Sequence, residues 1–283
     1  MASYPALDLR FALGPGAGAL QDLLYAELDA FEPLAIHDHD AGDGWRVFFR
    51  TGAQRQAAAA ALAASLGGHV IEVTPIDVED EDWARRSQAA LTAVRVGRIT
   101  VAPPWDVPAV AAGDILIIID PSMGFGTGHH STTRLCLDLL QRVDIAGKRV
   151  IDVGTGSGVL AIAAVKLGAA AVAAVDNDPD ALQNARENVD RNGLDSAIIG
   201  VREVDLSVMS EKRADIVTAN LTGAVLRKHS DILVPLLNPG GALIVSGFGP
   251  GELPDIVSAF GLPVVAEMVE GEWAAARLEA RRR

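Results

Sequence analysis

Residues 149–168 read RVIDVGTGSGVLAIAAVKLG, and this stretch decides the fold. An apolar run closes at Asp152 and Val153, glycines at 154, 156 and 158 make a turn, and strong helix formers follow at once. Strand, glycine turn and helix in that order open a βαβ unit. Its glycines let a ligand lie against the backbone, and amides at the helix start can donate to it. The alternation continues downstream through AAVAAVDND (170–178), PDALQNARENVDRNG (179–193), AIIGVREV (197–204), ADIVTAN (214–220), an amphipathic helix running through LLNPG (236–240), and GALIVSGF (241–248). That is the pattern of a doubly wound α/β sheet.

Upstream, DILIIIDPS (114–122) is a β-rich run stopped by Pro121, and RITVAPPWDVP (98–108) is a short strand with a proline-rich turn. VEDEDWARRSQAALTAV (78–94) opens with acids, as a helix amino terminus does, and continues with good helix formers. Before it, ALDLRFAL (6–13), GAGALQDLLYAELDAF (16–31), PLAIHDHD (33–40), GWRVFFR (44–50), QRQAAAAALAASL (54–66) and HVIEVTPI (69–76) alternate between the strand and helix periods in the order βαββαβ. This is the ferredoxin-like split unit. The expected organisation is a small ferredoxin-like α+β domain over residues 1–76, a linker helix over 77–96 and a Rossmann-like α/β domain over 97–283.

Composition narrows the function. Twenty-four Lys and Arg face 37 Asp and Glu, a formal charge of −13, which argues against a duplex nucleic-acid binder and predicts no direct nucleic-acid partner. No uninterrupted apolar stretch is long enough to span a membrane, and the first 16 residues lack a basic start with an apolar core, so a cytoplasmic protein with no membrane partner is expected. Cys136, the one cysteine, sits in an apolar run and reads as a buried thiol. His129 with His130, and His37 with His39, lack the spacing and partners of a metal site, so no metal is predicted. The closing Arg281-Arg282-Arg283 reads as a solvated tail.

The glycine spacing is Gly-x-Gly-x-Gly, with Val159 where a dinucleotide fingerprint has its third glycine, and no Gly-Lys-Ser/Thr follows it. The only tyrosines, Tyr4 and Tyr25, lie in the small domain, so a Tyr-Lys hydride-transfer site has no residue to run it. A nucleoside ligand without phosphates is left, with S-adenosylmethionine the leading candidate. Asp176 closes the second strand, where a carboxylate accepts hydrogen bonds from ribose hydroxyls of either NAD or S-adenosylmethionine. Asn220 closes the fourth strand beside the expected crevice. In methyl transfer to an amine the nucleophile must be neutral, and a carboxamide oxygen there can accept its hydrogen bond. Gly124, Gly126 and Gly128 with Thr127 suggest a wall over the ligand, toward which Thr132 or Thr133 could turn a hydroxyl.

These segments together resemble a known family. FGTGHHSTTRLCL (125–137), VIDVGTGSGVLAIAAVKLGA (150–169), VDNDPDALQNARENVDRNG (175–193) and ANLTGAVL (219–226) follow the order and spacing of the PrmA family, methyltransferases of ribosomal protein L-eleven (L11). DEDWARRSQAALTAVRVGRITVAPPW (80–105) and EGEWAAARL (270–278) resemble its linker and final strand. The resemblance implies a seven-stranded class I methyltransferase domain using S-adenosylmethionine. It also implies an amino-terminal domain that docks the ribosomal protein, with lysines and an amino terminus as methyl acceptors. Carried over by position, cofactor contacts fall on Thr133, Gly154, Asp176 and Asn220, with Thr155, Gly156 and Asn177 beside them, and Phe125, Gly126 and Thr127 form the loop over the methionine end; Asn220 is the catalytic candidate. The chain departs from the family's Thr-His-Pro-Thr-Thr at residues 129–133 and from its Asn-Ile-Leu at 220–222, both beside the expected acceptor site. The alternatives are another basic protein or a small molecule as acceptor, or a nucleoside-binding regulatory module without turnover.

Overall fold

The computed structural model describes residues 3–11, 24–25, 27–28, 30–31, 33–39, 44–65, 70–79, 91–121, 130–209 and 211–282. The chain divides into two units, residues 1–90 and 91–283.

In the first unit, strands β1 (Ser3–Phe11), β2 (Ala35–Asp38) and β3 (Gly44–Phe48), helix α1 (Gly52–Ser65) and strand β4 (Val70–Glu79) form a sheet of order β2-β3-β1-β4, antiparallel throughout. The period-2 alternation sets which side chains are buried. Leu7, Leu9, Trp45 and Val47 pack with Ala58 and Leu62 of α1 and with Leu24 and Leu28. Between the two leucines, Asp8 pairs with Arg46 (2.9 Å), its partner in register, and with His39 (3.0 Å). Helix α1 starts two residues earlier than its apolar run suggests, because Thr51 and Gln54 cap it reciprocally: Gln54 N donates to Thr51 Oγ1 (3.2 Å) and Thr51 N to Gln54 Oε1 (3.1 Å). Most of the helix expected over 16–31 lies outside the described residues.

The linker helix expected over 77–96 does not fit at either end. Residues 77–79 belong to β4, and Val94–Val96 is strand β5, joined to β6 (Ile99–Ala102) through Gly97 at φ +58°; residues 80–90 lie outside the described set. Strand pairing supersedes the helix propensity of TAVRV, since β5 pairs antiparallel with β6, which pairs parallel with β7 (Ile115–Ile118).

The second unit continues through α2 (Ser131–Gln141), β8 (Arg149–Val153), α3 (Val159–Lys166), β9 (Ala171–Asp176), α4 (Pro179–Arg191), β10 (Ile199–Glu203), β11 (Ala214–Asn220), α5 (Gly223–Lys228), α6 (Ser230–Leu233), β12 (Leu237–Phe248), α7 (Leu253–Phe260), β13 (Val264–Glu270) and β14 (Trp273–Glu279). Its large mixed sheet has the order β10-β9-β8-β11-β12-β14-β13, with β14 antiparallel to both neighbours and the rest parallel. Both faces are covered, so the strands read as continuous apolar runs. Val150, Val172 and Ile216 pack on one side with residues of α2 and α3; Ile151, Ala173 and Val217 pack on the other with Leu226 of α5, Leu233 of α6 and Ile256 of α7. The helix expected to run through LLNPG is instead two short helices and a 3-10 turn, Val234–Leu236, carrying Pro235. Strand β12 already begins at Leu237, and its register against β11 breaks between Ala214 and Ile216.

Candidate active site

The sheet order reverses between β8 and β11, so a crevice opens at the carboxyl ends of β9, β8 and β11, three neighbouring strands that end in Asp176, in Val153 with Gly154 next, and in Asn220. At about 4.8 Å per strand this row spans ~10 Å, the length of a nucleoside.

The turn after β8 is wound so tightly that it satisfies itself. Gly154, Gly156 and Gly158 have φ of +69°, +53° and +81°, the left-handed region open to glycine. A Cβ on Gly154 would also lie 2.4 Å from Leu221 Cδ2. The amides of Gly154 and Thr155 donate to Val175 O (2.9 and 3.0 Å), that of Gly158 to Thr155 O (2.8 Å), and that of Gly156 to Asp176 Oδ2 (2.9 Å). These four amides are therefore spent inside the protein and form no phosphate cradle, unlike the amide donors expected from the sequence. Thr155 also turns inward: its hydroxyl donates to Asp152 Oδ2 (2.7 Å), so neither of its donors faces a ligand.

Asp152 lies beneath the turn, 1% exposed, and accepts from Thr218 Oγ1 (2.5 Å) as well. Burial raises its pKa, against hydrogen bonds from Thr218 and Thr155 that lower it. This buried group escaped the sequence reading, although an acid inside an otherwise apolar strand is a visible signal.

Asp176 is half-buried and held from both sides, by Gly156 N on Oδ2 and by Asp178 N (3.1 Å) on Oδ1. Each oxygen keeps a lone pair for a hydroxyl donor. Asp178, not Asp176, caps α4, accepting from Asp180 N (2.9 Å), and Asn177 between them is exposed. Across the crevice, Asn220 Nδ2 reaches Thr133 Oγ1 at 3.5 Å, which brings the strand end and the start of α2 together. Phe125, Gly126 and Thr127 lie outside the described residues.

The first turn of α2 is tied down by residues not singled out as contacts. His130 caps it, its Nδ1 2.7 Å from Thr132 Oγ1, and its ring meets Trp273 edge-on at a centroid distance of 4.7 Å. Burial, then the charge of Arg134, lowers the His130 pKa, so the ring is neutral at pH 7. Arg134 pairs with Glu270 and donates to Ser131 Oγ (2.8 Å).

A second set missed in the sequence lies on α4. Asn188, fully buried, donates to Ser157 O (3.0 Å) in the glycine turn and accepts from Asp120 N (2.8 Å) just after β7. Asn192 does the same for both backbone groups of Ile118 (3.0 and 2.7 Å). The helical spacing of Asn184, Asn188 and Asn192 was its signal. No three His, Cys, Asp or Glu converge as a metal site among the described residues.

A crevice at a sheet switch point, a turn with its amides turned inward, a carboxylate on the next strand and a carboxamide across from it are arranged on an α/β methyltransferase fold. The model of the ribosomal protein L11 methyltransferase (PrmA) family matches residues 27–281. The chain belongs to that family. It is 42% identical over 228 residues to the ribosomal protein L11 methyltransferase of Pelotomaculum thermopropionicum, covering 78% of this chain and 74% of the relative. It is 46% identical over 171 residues to that of Symbiobacterium thermophilum, covering 60% of this chain and about half, 55%, of the relative. A solved ribosomal protein L11 methylase from Lactobacillus delbrueckii subsp. bulgaricus superposes with a TM-score of 0.63 at 30% identity, covering 68% of this chain and all of the other. No helix among the described residues is long and apolar enough to cross a membrane.

Proposed function

We propose that this chain is an S-adenosylmethionine-dependent protein N-methyltransferase whose acceptor amines lie on ribosomal protein L11. The observation that carries the reading is the row Asp176, Gly154, Asn220 across three adjacent strand ends, with the intervening amides unavailable to phosphate. The residues present fit a nucleoside: Asp176 can accept from ribose hydroxyls, and Gly154, where a Cβ would strike the Leu221 side chain, keeps the turn beside it close-packed. Thr133 and Gly156 border the same crevice, and Asn177 flanks its Asp176 side. Phe125, Gly126 and Thr127 belong to the reading by family position alone.

When bound, S-adenosylmethionine supplies an electrophilic methyl group on a sulfonium that departs as a neutral thioether. The protein's task is therefore positioning and desolvation, with no leaving group to protonate. The Asn220 carboxamide oxygen accepts an N–H of the incoming amine and aims its lone pair along the crevice. A lysine amine has an ordinary pKa of about 10.4, and the half-buried crevice disfavours its charged form. Once alkylated, the nitrogen sheds its extra proton to solvent.

The first unit, 1–90, is the docking domain in this reading; its β2-β3-β1-β4 order supports a ferredoxin-like assignment. The methyltransferase domain is the second unit, 91–283, and the cytoplasm is its place of action.

Mass spectrometry of chain, S-adenosylmethionine and purified ribosomal protein L11 tests the acceptor: methyl-sized mass additions on L11 are expected. Their absence, with a labelled product elsewhere in a lysate, reassigns the acceptor. Calorimetric binding of NAD but not of S-adenosylmethionine overturns the class.

A further inference from the structure

The chain is acidic as a whole, yet five cations stand together at one edge of the large sheet. Strands β8 and β11 enter the sheet at the edge opposite the crevice, and β14, running antiparallel, leaves at that same edge. Lys148 stands before β8, Lys212 and Arg213 before β11, and Arg281 and Arg282 after β14, so the topology itself gathers them. None of the five makes an ion pair among the described residues, and all but half-buried Lys148 are exposed.

Three acids nearby are already engaged. Asp215 accepts from Arg149 N (3.0 Å) and Asn238 Nδ2 (3.0 Å), Glu211 faces Arg202 (3.1 Å) and Arg149 (3.7 Å), and Glu279 faces Arg277 (3.8 Å). The arginines that close the chain are seated there: Arg281 and Arg213 line a shallow cavity of about 260 Å³ with Asn238, Val234, Pro235 and Pro239, and Arg282 lies along Gly240, where a Cβ would be 3.1 Å from its Cγ.

We propose that this edge is a docking surface for the phosphodiester backbone of single-stranded RNA. Net charge excludes a partner less securely than the distribution of charge admits one. Three of the cations are arginines, whose planar forks match phosphate oxygens bidentately. The cavity between two guanidiniums has proline and valine walls, a surface on which an unstacked base can rest. The seven-residue β11 separates this edge from the crevice by about 20 Å, so RNA held here leaves the methyl-transfer site open.

Fluorescence anisotropy of a labelled single-stranded RNA oligonucleotide with the full chain, without cofactor or ribosomal protein, tests the surface independently of the reaction. Four cations engaged at roughly 0.7 ions per phosphate predict a slope of about −3 in log affinity against log salt. Arg213→Glu/Arg281→Glu/Arg282→Glu should weaken binding at least tenfold at about 50 mM salt and flatten that slope, with S-adenosylmethionine affinity unchanged. If that variant loses its cofactor affinity, Arg281→Ala/Arg282→Ala is read in its place, with a smaller loss expected. No RNA binding by the wild type, or equal binding by the variants, overturns the proposal. Polyglutamate binding as tightly as RNA also overturns it and makes the partner an acidic polypeptide.

Discussion

Asp176 does two things at once, and the two can be separated by substitution. Its carboxylate braces Gly156 N and Asp178 N, and its remaining lone pairs face the crevice. Asp176→Ala should cost about 1.5–3 kcal/mol of S-adenosylmethionine binding, the worth of hydrogen bonds to a charged acceptor, read by calorimetric titration; unchanged affinity would remove Asp176 from the site. Asn220 is tied only loosely to Thr133, at 3.5 Å, which suits a group that must turn to an incoming amine. Asn220→Ala should therefore lower kcat by more than it weakens cofactor affinity. Equal losses in both would make Asn220 chiefly a cofactor contact. His130 sets the pH dependence at this edge. Its folded pKa is depressed, so the unfolded chain takes up its proton first on acidification, and stability falls as pH drops below about 6.5. Melting temperatures at pH 7.5 and 5 should differ more for the wild type than for His130→Asn, which keeps a capping oxygen. An identical pH dependence in both would assign the loss to other groups.

The elements show why some of this was legible in the sequence and some was not. The places of the glycine turn, Asp176 and Asn220 at strand ends could be read because strand, turn and helix boundaries are local, and the fold's switch point then puts those strand ends side by side. The direction of the Thr155 hydroxyl could not be read, because it depends on Asp152 and Thr218, the latter on a strand 63 positions away. Residues 94–96 escaped for the same reason, since only β6 makes Val-Arg-Val a strand. Helix α4 is the largest omission, because its asparagines act on backbone from two other elements. Asn188 in particular joins the glycine turn to the exit of β7 through Ser157 O and Asp120 N. Asn188→Leu removes the hydrogen bonds to both groups, at about 1–3 kcal/mol each, so a loss of roughly 2–6 kcal/mol is expected in urea unfolding. A loss below ~1 kcal/mol would show that the two groups find other partners.

On the scale of the whole molecule, the two units have separate hydrophobic cores, and the one cysteine of the chain reports on the second alone. Cys136 is fully buried on α2, and burial first, then the charge of Asp152, pushes its thiol pKa well above the ordinary range, opposed by a hydrogen bond with Ser246. The thiolate is the nucleophile, so alkylation of the native protein needs an opening that exposes this helix to water. Neighbours of Cys136 in the same core, Leu135, Leu139 and Val150, tie that opening to the large sheet. A ligand at the crevice stabilises the closed form by mass action: at a hundred times its Kd, S-adenosylmethionine should slow iodoacetamide labelling of Cys136 about a hundredfold. A labelling rate insensitive to cofactor, measured where calorimetry shows the cofactor bound, would mean that α2 opens without the sheet. The contact between Thr133 and Asn220 would then not couple the helix to the site.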